Sequence, residues 1–536
     1  MDERLQALHD DLARAEELVG ADLARAQRRV GWLAEAADEQ LAEFLAAAAE
    51  LSLPLDERAD ELLAAALATV ARRRRQPDAQ PIGEVVVEPL VALYEQLGLA
   101  SHSRAQLLAL LAQSDADAQL DALATLLVDD PPADDADIVQ ALAPLFRKSA
   151  PLRLFPRVLA ALAHPPLAAP ILDLANYMTR EGLVAEHPAA DRSRQLIALL
   201  GEIIQGLARL EESPPEPSTS AVELSRQVAA QVALAVALCD ALAQIGDQQA
   251  IGKLHQALAL RHRRLRTEAA AALARLGDED GQRELLALAE EPVARLRVLA
   301  YAQELGLTEK IEPQWRTPEA QAEAQLAVHL AEPTQFGIPP MRLELFDHRQ
   351  LYWPGFTAPV DCYLIRFTYA VTVEGEGQRS LSNIGIAGPL AHAFLADLAD
   401  LAPDDIYAAY AGWQAEHEEI REFHVAHLSK SEKLEAERLT RRLHDAGYTD
   451  IQPQLMGYFF GDKALVAEAT REGVSGVAVA DFAEIAFFPR RHSRRPLGPR
   501  DAYNIHKGRK LLHSFNRGGG EATRGGPADE PLAGQG

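Results

Sequence analysis

Three copies of one pattern between Val228 and Gly306 constrain this chain more than any other feature. Ile245-Gly246-Asp247 closes the first copy, Leu276-Gly277-Asp278 the second and Leu305-Gly306 the third, at spacings of 31 and then 29 residues. A fixed period of this length marks an array of stacked units, each too small to bury its own apolar face. In the best copy, Leu265, Leu273 and Leu276 recur at helical spacing and mark a buried stripe. The small residues between them let one helix lie close against its neighbour. Gly277 stands where a helix must stop, because glycine adopts the left-handed conformation freely. Asp278 is then placed to cap a further helix, expected over Gln282–Ala289.

This pattern resembles a HEAT-like repeat of the short bacterial type found in phycobilin lyases. The third copy keeps the motif's arginine, in Ala294-Arg295, whereas the first has Ala235 in that place and departs from the pattern. The resemblance covers residues 228–306 of a 536-residue chain. It implies an α-solenoid in which Arg266, Arg295, Asp247 and Asp278 hydrogen-bond along the stack, as a structural ladder with no part in chemistry. Di-iron hydroxylases built on similar repeats carry repeated His-Glu pairs. These repeats have none, and His417-Glu418 lies outside them, so that activity is not implied.

A chain of this length is too long for one ordinary core, and two or three domains are expected. The net charge of −26 argues against general nucleic-acid binding, where a basic domain is expected. The two cysteines, Cys239 and Cys362, lie far apart, which excludes a disulfide framework and suggests a reducing compartment. The N-terminus is charged from its second residue and has no apolar core of a signal peptide. No uncharged apolar run of membrane-spanning length is evident, so the expectation is a cytoplasmic protein with no membrane partner. Of 30 aromatic residues, 8 fall in residues 1–330 and 22 in 331–536. Two kinds of core are implied, with a boundary near Pro333.

The expected organisation follows. Residues 1–210 read as helices throughout, as degenerate repeats or a bundle. Residues 211–220, rich in Pro, Ser and Glu, read as an exposed loop. Residues 221–332 hold the HEAT-like repeats, closed by a last helix over Pro318–Leu330. Residues 333–516 read as an α+β domain with a mostly antiparallel sheet. Its strands are expected over Met341–Phe346, Val360–Val373, Leu381–Ile386, Gln454–Phe460, Ala464–Ala469, Val474–Ala480 and Ile485–Phe488. Its helices are expected over Pro389–Leu398, Pro403–Phe423, Ser431–Ala446 and Pro499–Phe515. Residues 517–536, rich in glycine, read as a disordered tail.

Chemistry-bearing patterns are sparse. His417, His424 and His427, within Glu416–His427 read as helix, fall roughly on one face, but Arg421 shares that face and the i,i+4 pair of a zinc protease is missing, so no metal site is assigned. Gly473-Val474-Ser475-Gly476 lacks the lysine of a phosphate loop and the context of a nucleophile elbow, and reads as a hairpin turn. Cys362 lies in an apolar strand and reads as a core thiol. No catalytic residue and no cofactor is assigned. Two segments are candidate binding sites. Arg490, Arg491, Arg494, Arg495, Arg500, Lys507, Arg509 and Lys510 concentrate positive charge in an acidic chain. They could hold an acidic partner, a phosphate or RNA, or pair with the chain's own acids. Tyr352, Trp353 and Phe356 flank a Pro-Gly turn and could anchor a partner, or plug the domain core.

The reading that follows is a HEAT-repeat interaction scaffold or adaptor, not an enzyme, that binds protein partners along its helical surface. The alternative is a ligand-handling protein or enzyme, bilin-lyase-like by resemblance, with a pocket in the C-terminal domain near Cys362. A third reading is phosphate or RNA binding through residues 490–510.

Overall fold

The computed structural model describes the chain except for residues 1, 52–54, 77–78, 133–134, 148–150, 214–220, 374–376, 416–419, 423–428, 460, 491–494 and 518–536. Most of the expected loop at 211–220 and nearly all of the expected tail therefore lie outside the described residues. The chain divides into two compact units, Met1–Leu285 and Leu286–Gly536. The sequence reading put the change of core near Pro333, some way beyond this division.

The first unit is helical. Its helices are α1 (Glu3–Ala13), α2 (Gly20–Arg29), α3 (Asp38–Ala49), α4 (Glu57–Arg74), α5 (Val87–Gln96), α6 (His102–Ala112), α7 (Asp117–Asp129), α8 (Asp135–Leu142), α9 (Pro165–Arg180), α10 (Ser193–Glu212), α11 (Ala221–Ile245), α12 (Ile251–Leu258), α13 (Arg263–Arg275) and α14 (Glu279–Ala287), the last reaching the boundary. One continuous core of leucine and alanine runs from Leu5 to Leu276. Within the region expected to be helical throughout, residues 152–163 form 3-10 segments, Leu152–Leu154 and Arg157–Ala163, and no α-helix. Pro156 and Pro165 bound the second segment, and neither supplies an amide to continue an α-helical ladder through it.

The repeat turns take the form the spacing predicts. Gly246, Gly277 and Gly306 all have positive φ, at 79°, 82° and 67°. Asp278 accepts the amide of Gly281 at 2.7 Å, capping α14, and Asp247 accepts that of Gln249 at 2.9 Å. One stretch of α11, Leu224–Ile245, is long and apolar enough to cross a bilayer by length and composition, although it carries Arg226 and Asp240. More than half of it is buried, with Ala235, Leu238, Cys239 and Leu242 in the unit's core.

The second unit contains α15 (Pro292–Glu304), α16 (Pro318–Ala331), β1 (Arg342–Leu351), β2 (Val360–Val373), β3 (Gly377–Ala387), α17 (Pro403–Gln414), β4 (Ile420–Glu422), α18 (Lys430–Asp445), β5 (Thr449–Phe459), β6 (Asp462–Arg471), β7 (Val474–Ala480), β8 (Ile485–Pro489) and α19 (Pro499–Phe515). All strand pairs are antiparallel, but they form two sheets where one was expected: β1-β2-β3 and β4-β5-β6-β7-β8. Each sheet is covered on both faces. Ile365, Phe367 and Tyr369 of the first sheet pack on Leu326 and Leu330 of α16, while Cys362, Leu364 and Ile384 pack on Tyr407 and Tyr410 of α17. In the second sheet Val466, Val477 and Val479 meet Ala408 of α17 and Tyr503 and Ile505 of α19, while Leu465, Ala467 and Ala478 meet Leu439 and Leu443 of α18. The layers therefore run α16, sheet, α17 with α19, sheet, α18. This explains why the strands read as apolar runs and not as clean alternation.

Two expected helices are corrected. Over Pro389–Leu398 no helix forms. The Asn383 amide instead donates to the carbonyls of Phe394 and Ala396, and its oxygen accepts from the Leu398 amide. These side-chain bonds replace a helical ladder. The helix expected over Pro403–Phe423 stops at Gln414, and Ile420–Glu422 instead pair with Leu455–Gly457. The helical face proposed to gather His417, His424 and His427 therefore does not extend that far. The three histidines themselves lie outside the described residues.

Candidate functional site

The basic segment near the chain's end is largely paired within its own unit. Arg490 bridges Glu468 at 2.9 Å. Arg509 donates from Nε and Nη2 to Asp405 Oδ1, at 2.8 and 2.6 Å. Lys507 is buried and donates to the Ala415 carbonyl at 3.0 Å. Lys510 reaches Asp462 at 2.8 Å and Asp481 at 2.5 Å. Arg500 also has an interaction partner, and Arg495 is exposed. Arg491 and Arg494 lie outside the described residues. The one-turn spacing of α19 sets Lys507 and Lys510 to the inside, so a linear concentration of charge becomes a set of tethers.

Asp481 and His506 are the most enclosed members of this network. Asp481 sits in the β7–β8 turn and accepts the amides of Ala483 and Glu484, both at 2.7 Å. Its Oδ2 lies 3.2 Å from Nε2 of His506, and Nδ1 of that ring lies 3.1 Å from Glu484. Burial works to raise the Asp481 carboxyl, but Lys510, the two amides and the His506 ring together hold it below the usual range. Burial pushes His506 down, against the pull of Asp481. The residues are those of an acid–base pair, but both are buried, and the geometry fastens a hairpin turn to α19.

The aromatic turn plugs the core. Trp353 is buried among Leu351, Leu364 and Tyr407, and its Nε1 donates to Gln414 at 2.5 Å. The Tyr352 amide and carbonyl both bond the side chain of Asn516, at 2.9 and 3.2 Å. Phe356 alone of the three rings is largely exposed. Cys362 is fully buried, and burial pushes its thiol up to about 12.

No family model matches this chain. Neither a curated protein nor a solved structure matches it either. Among the described residues, no group of three or more His, Cys, Asp or Glu side chains is arranged to hold a metal ion.

Of the four repeat residues, Asp247, Asp278 and Arg295 make contacts to neighbouring segments and not to one another. Asp247 accepts the Ser193 hydroxyl at the start of α10, and that bond, with the Gln249 amide, holds its carboxyl below the usual range. Asp278 lies 3.1 Å from His255 of α12. Arg266 is half-buried on α13 and has an interaction partner. Arg295 is buried and donates to the carbonyls of Ala289, Ala320 and Glu290, at 2.8, 2.7 and 3.1 Å, with its guanidinium 4.6 Å from the centre of the Trp315 ring.

Two features were not read from the sequence. The first crosses α9, α11 and α13, where Asp240 pairs with Arg180 and, at 3.1 Å, with Arg275. Asp173 of α9 reaches water, yet its surroundings and the Asp240 charge raise it to about 6. No motif flags it, because its partners come from three helices. The second lies at the start of the chain. Asp60 of α4 is buried and caps α6 from a neighbouring helix, accepting from the Ser101 hydroxyl and the His102 amide at 2.5 and 2.8 Å. Beside it is a cleft of roughly 360 Å³ with Leu55, Leu97, Glu57 and Glu61 in its wall. Glu57 and Glu61 also border a second cleft, of roughly 380 Å³, with Glu16 and Arg58. A segment count of charges could have found this site. Residues 1–142 hold 28 Asp and Glu against 11 Lys and Arg, whereas residues 143–285 hold 16 of each.

Proposed function

We propose that this chain is a non-catalytic interaction scaffold whose helical unit holds a protein partner with a basic face. The observation that carries this reading is the confinement of the unit's acidic excess to residues 1–142, where Glu57 and Glu61 separate two adjoining clefts. One cleft offers leucine side chains beside the carboxylates, the mixture of apolar anchor and charged rim that protein interfaces use. The charge would speed encounter and reject acidic competitors, and the apolar wall would supply residence time. A HEAT-like array suits this role, because stacked helices present a long surface without needing a catalytic cavity. Of the side chains offered for the bilin-lyase-like alternative, Cys362 and Trp353 are packed as core and Phe356 is exposed, which favours the scaffold reading.

The test is affinity capture from native lysate by the full chain and by its Glu16→Lys/Glu57→Lys/Glu61→Lys variant, at low and at moderate salt. A basic protein retained by the wild type, released by salt and missed by the variant is the expected result. Retention unchanged by both salt and substitution would show that the partner sits elsewhere. Visible absorbance in protein purified from its own host would favour the ligand-handling alternative.

A further inference from the structure

We propose that the first half of β1 is a self-association surface, on which two copies of this chain pair edge to edge, antiparallel, about a twofold axis at Leu343.

β1 borders its sheet, with β2 as its only strand neighbour among the described residues. Among the described residues no backbone hydrogen bond joins residues 342–351 to another element on the outer side. An open edge is a template for a further strand, and proteins that must avoid pairing blunt it with bulges and charge. Here the bulge stands in the second half only, and the charges of the first half, Arg342 and Glu344, offset each other in a bridge of 2.5 Å. The bulge falls between Leu345 and Asp347, and Asp347, His348 and Arg349 follow it. The first half is regular and carries exposed apolar side chains: Met341 is 65% exposed and Leu345 46%, with Ile338 at 58% just before them.

The order of residues in this half selects the occupant. Met341-Arg342-Leu343-Glu344-Leu345 is complementary to its own reverse. An antiparallel pair centred on Leu343 sets leucine against leucine on the axis. It then sets Arg342 against Glu344 twice, and Met341 against Leu345 twice. Opposite charges directly across a strand pair are favourable, and like charges are not. Centring the pair on Arg342 or on Glu344 would put identical charges face to face on the axis. A slip of one residue would also turn the apolar side chains to the other face. The side chains of Leu343 and Leu345 lie opposite Phe367 and Ile365, on the face that packs on α16. Pairing therefore joins two three-stranded sheets into six strands, with the two faces that pack on α16 on one side. Such a contact is isologous and closes at two copies, so it hides the edge without starting a fibre.

The experiment uses the full 58.3 kDa chain. Its mass is measured by sedimentation equilibrium across a micromolar concentration series, for the wild type, Glu344→Arg and the double variant Arg342→Glu/Glu344→Arg. Far-ultraviolet circular dichroism checks that all three are folded. The wild type is expected at twice the chain mass. Glu344→Arg opposes arginines at both symmetric positions and should weaken association on the order of tenfold or more. The double variant restores both pairs with their signs exchanged and should associate as the wild type does. A wild type at single-chain mass would overturn the proposal, and would leave this edge to an extended segment of another protein. A Glu344→Arg protein that dimerises as well as wild type, or a double variant that fails to recover, would overturn it equally.

Discussion

At neutral pH Asp173 keeps its charge against its surroundings. The helices packed around it and the carboxylate of Asp240 raise it to about 6. In the unfolded chain an aspartate titrates near 3.9. Between these values the folded state binds more protons than the unfolded one, so stability falls as pH rises through this window, and the loss is complete above about 6. Asp173→Asn should therefore be more stable than the wild type at pH 7.5 and equal to it near pH 4. Because the side chain reaches water the gain is discounted for screening, to about 1 kcal/mol or less. Urea unfolding at the two pH values checks this; a variant less stable at pH 7.5 would mean that attraction to the charges of Arg264 and Arg180 dominates. The repeat aspartates were legible because each also caps its own turn, Asp278 on Gly281 and Asp247 on Gln249. Asp173 was not, because its state depends on side chains from α11 and α13.

The contact of α17 with α19 decides whether the second unit can close. A Cβ placed on Gly508 would lie 1.7 Å from the Ala408 carbonyl oxygen, and one on Gly412 would lie 1.9 Å from that of Asn504. Both obstacles are backbone, so neither helix can yield without withdrawing from a sheet. Gly508→Val should destabilise this unit by about 3 kcal/mol or more. Gly252→Ala, in open space on α12, should be neutral or stabilising by up to about 1 kcal/mol. Thermal unfolding of the two variants separates close approach from glycine substitution as such; equal effects would refute the argument. The extent of α19 was readable to the residue, from Pro499 at its first turn to the end of its apolar periodicity. The end of α17 was not. Helical periodicity continues in the sequence past Gln414, and only pairing with β5 makes Ile420–Glu422 a strand. The division into two sheets was equally hidden, since a strand's sequence does not state which neighbour it takes.

At the scale of the whole chain, charge is unevenly spread. The 28 acidic against 11 basic residues of the first 142 repel one another in the folded state. Raising the ionic strength from about 0.01 to 0.1 M shortens the screening length from about 30 to about 10 Å. The lowest-temperature unfolding transition of the full chain should then move upward. A downward shift would mean that attractive pairs such as Arg104–Asp130 and Arg153–Asp121 outweigh the repulsion. This imbalance was open to a residue count, but the clefts beside Glu57 and Glu61 required helices far apart in sequence to be placed together. The central layer of the second unit also sets a timetable for synthesis. The inner face of β5–β8 rests on Ala502, Tyr503 and Ile505, residues translated after every strand of that sheet. While the ribosome is still adding them, that face has only α17, through Ala408 and Ala409, to cover it. The nascent chain must wait for α19 to leave the exit tunnel, and its dependence on chaperones should end with that release.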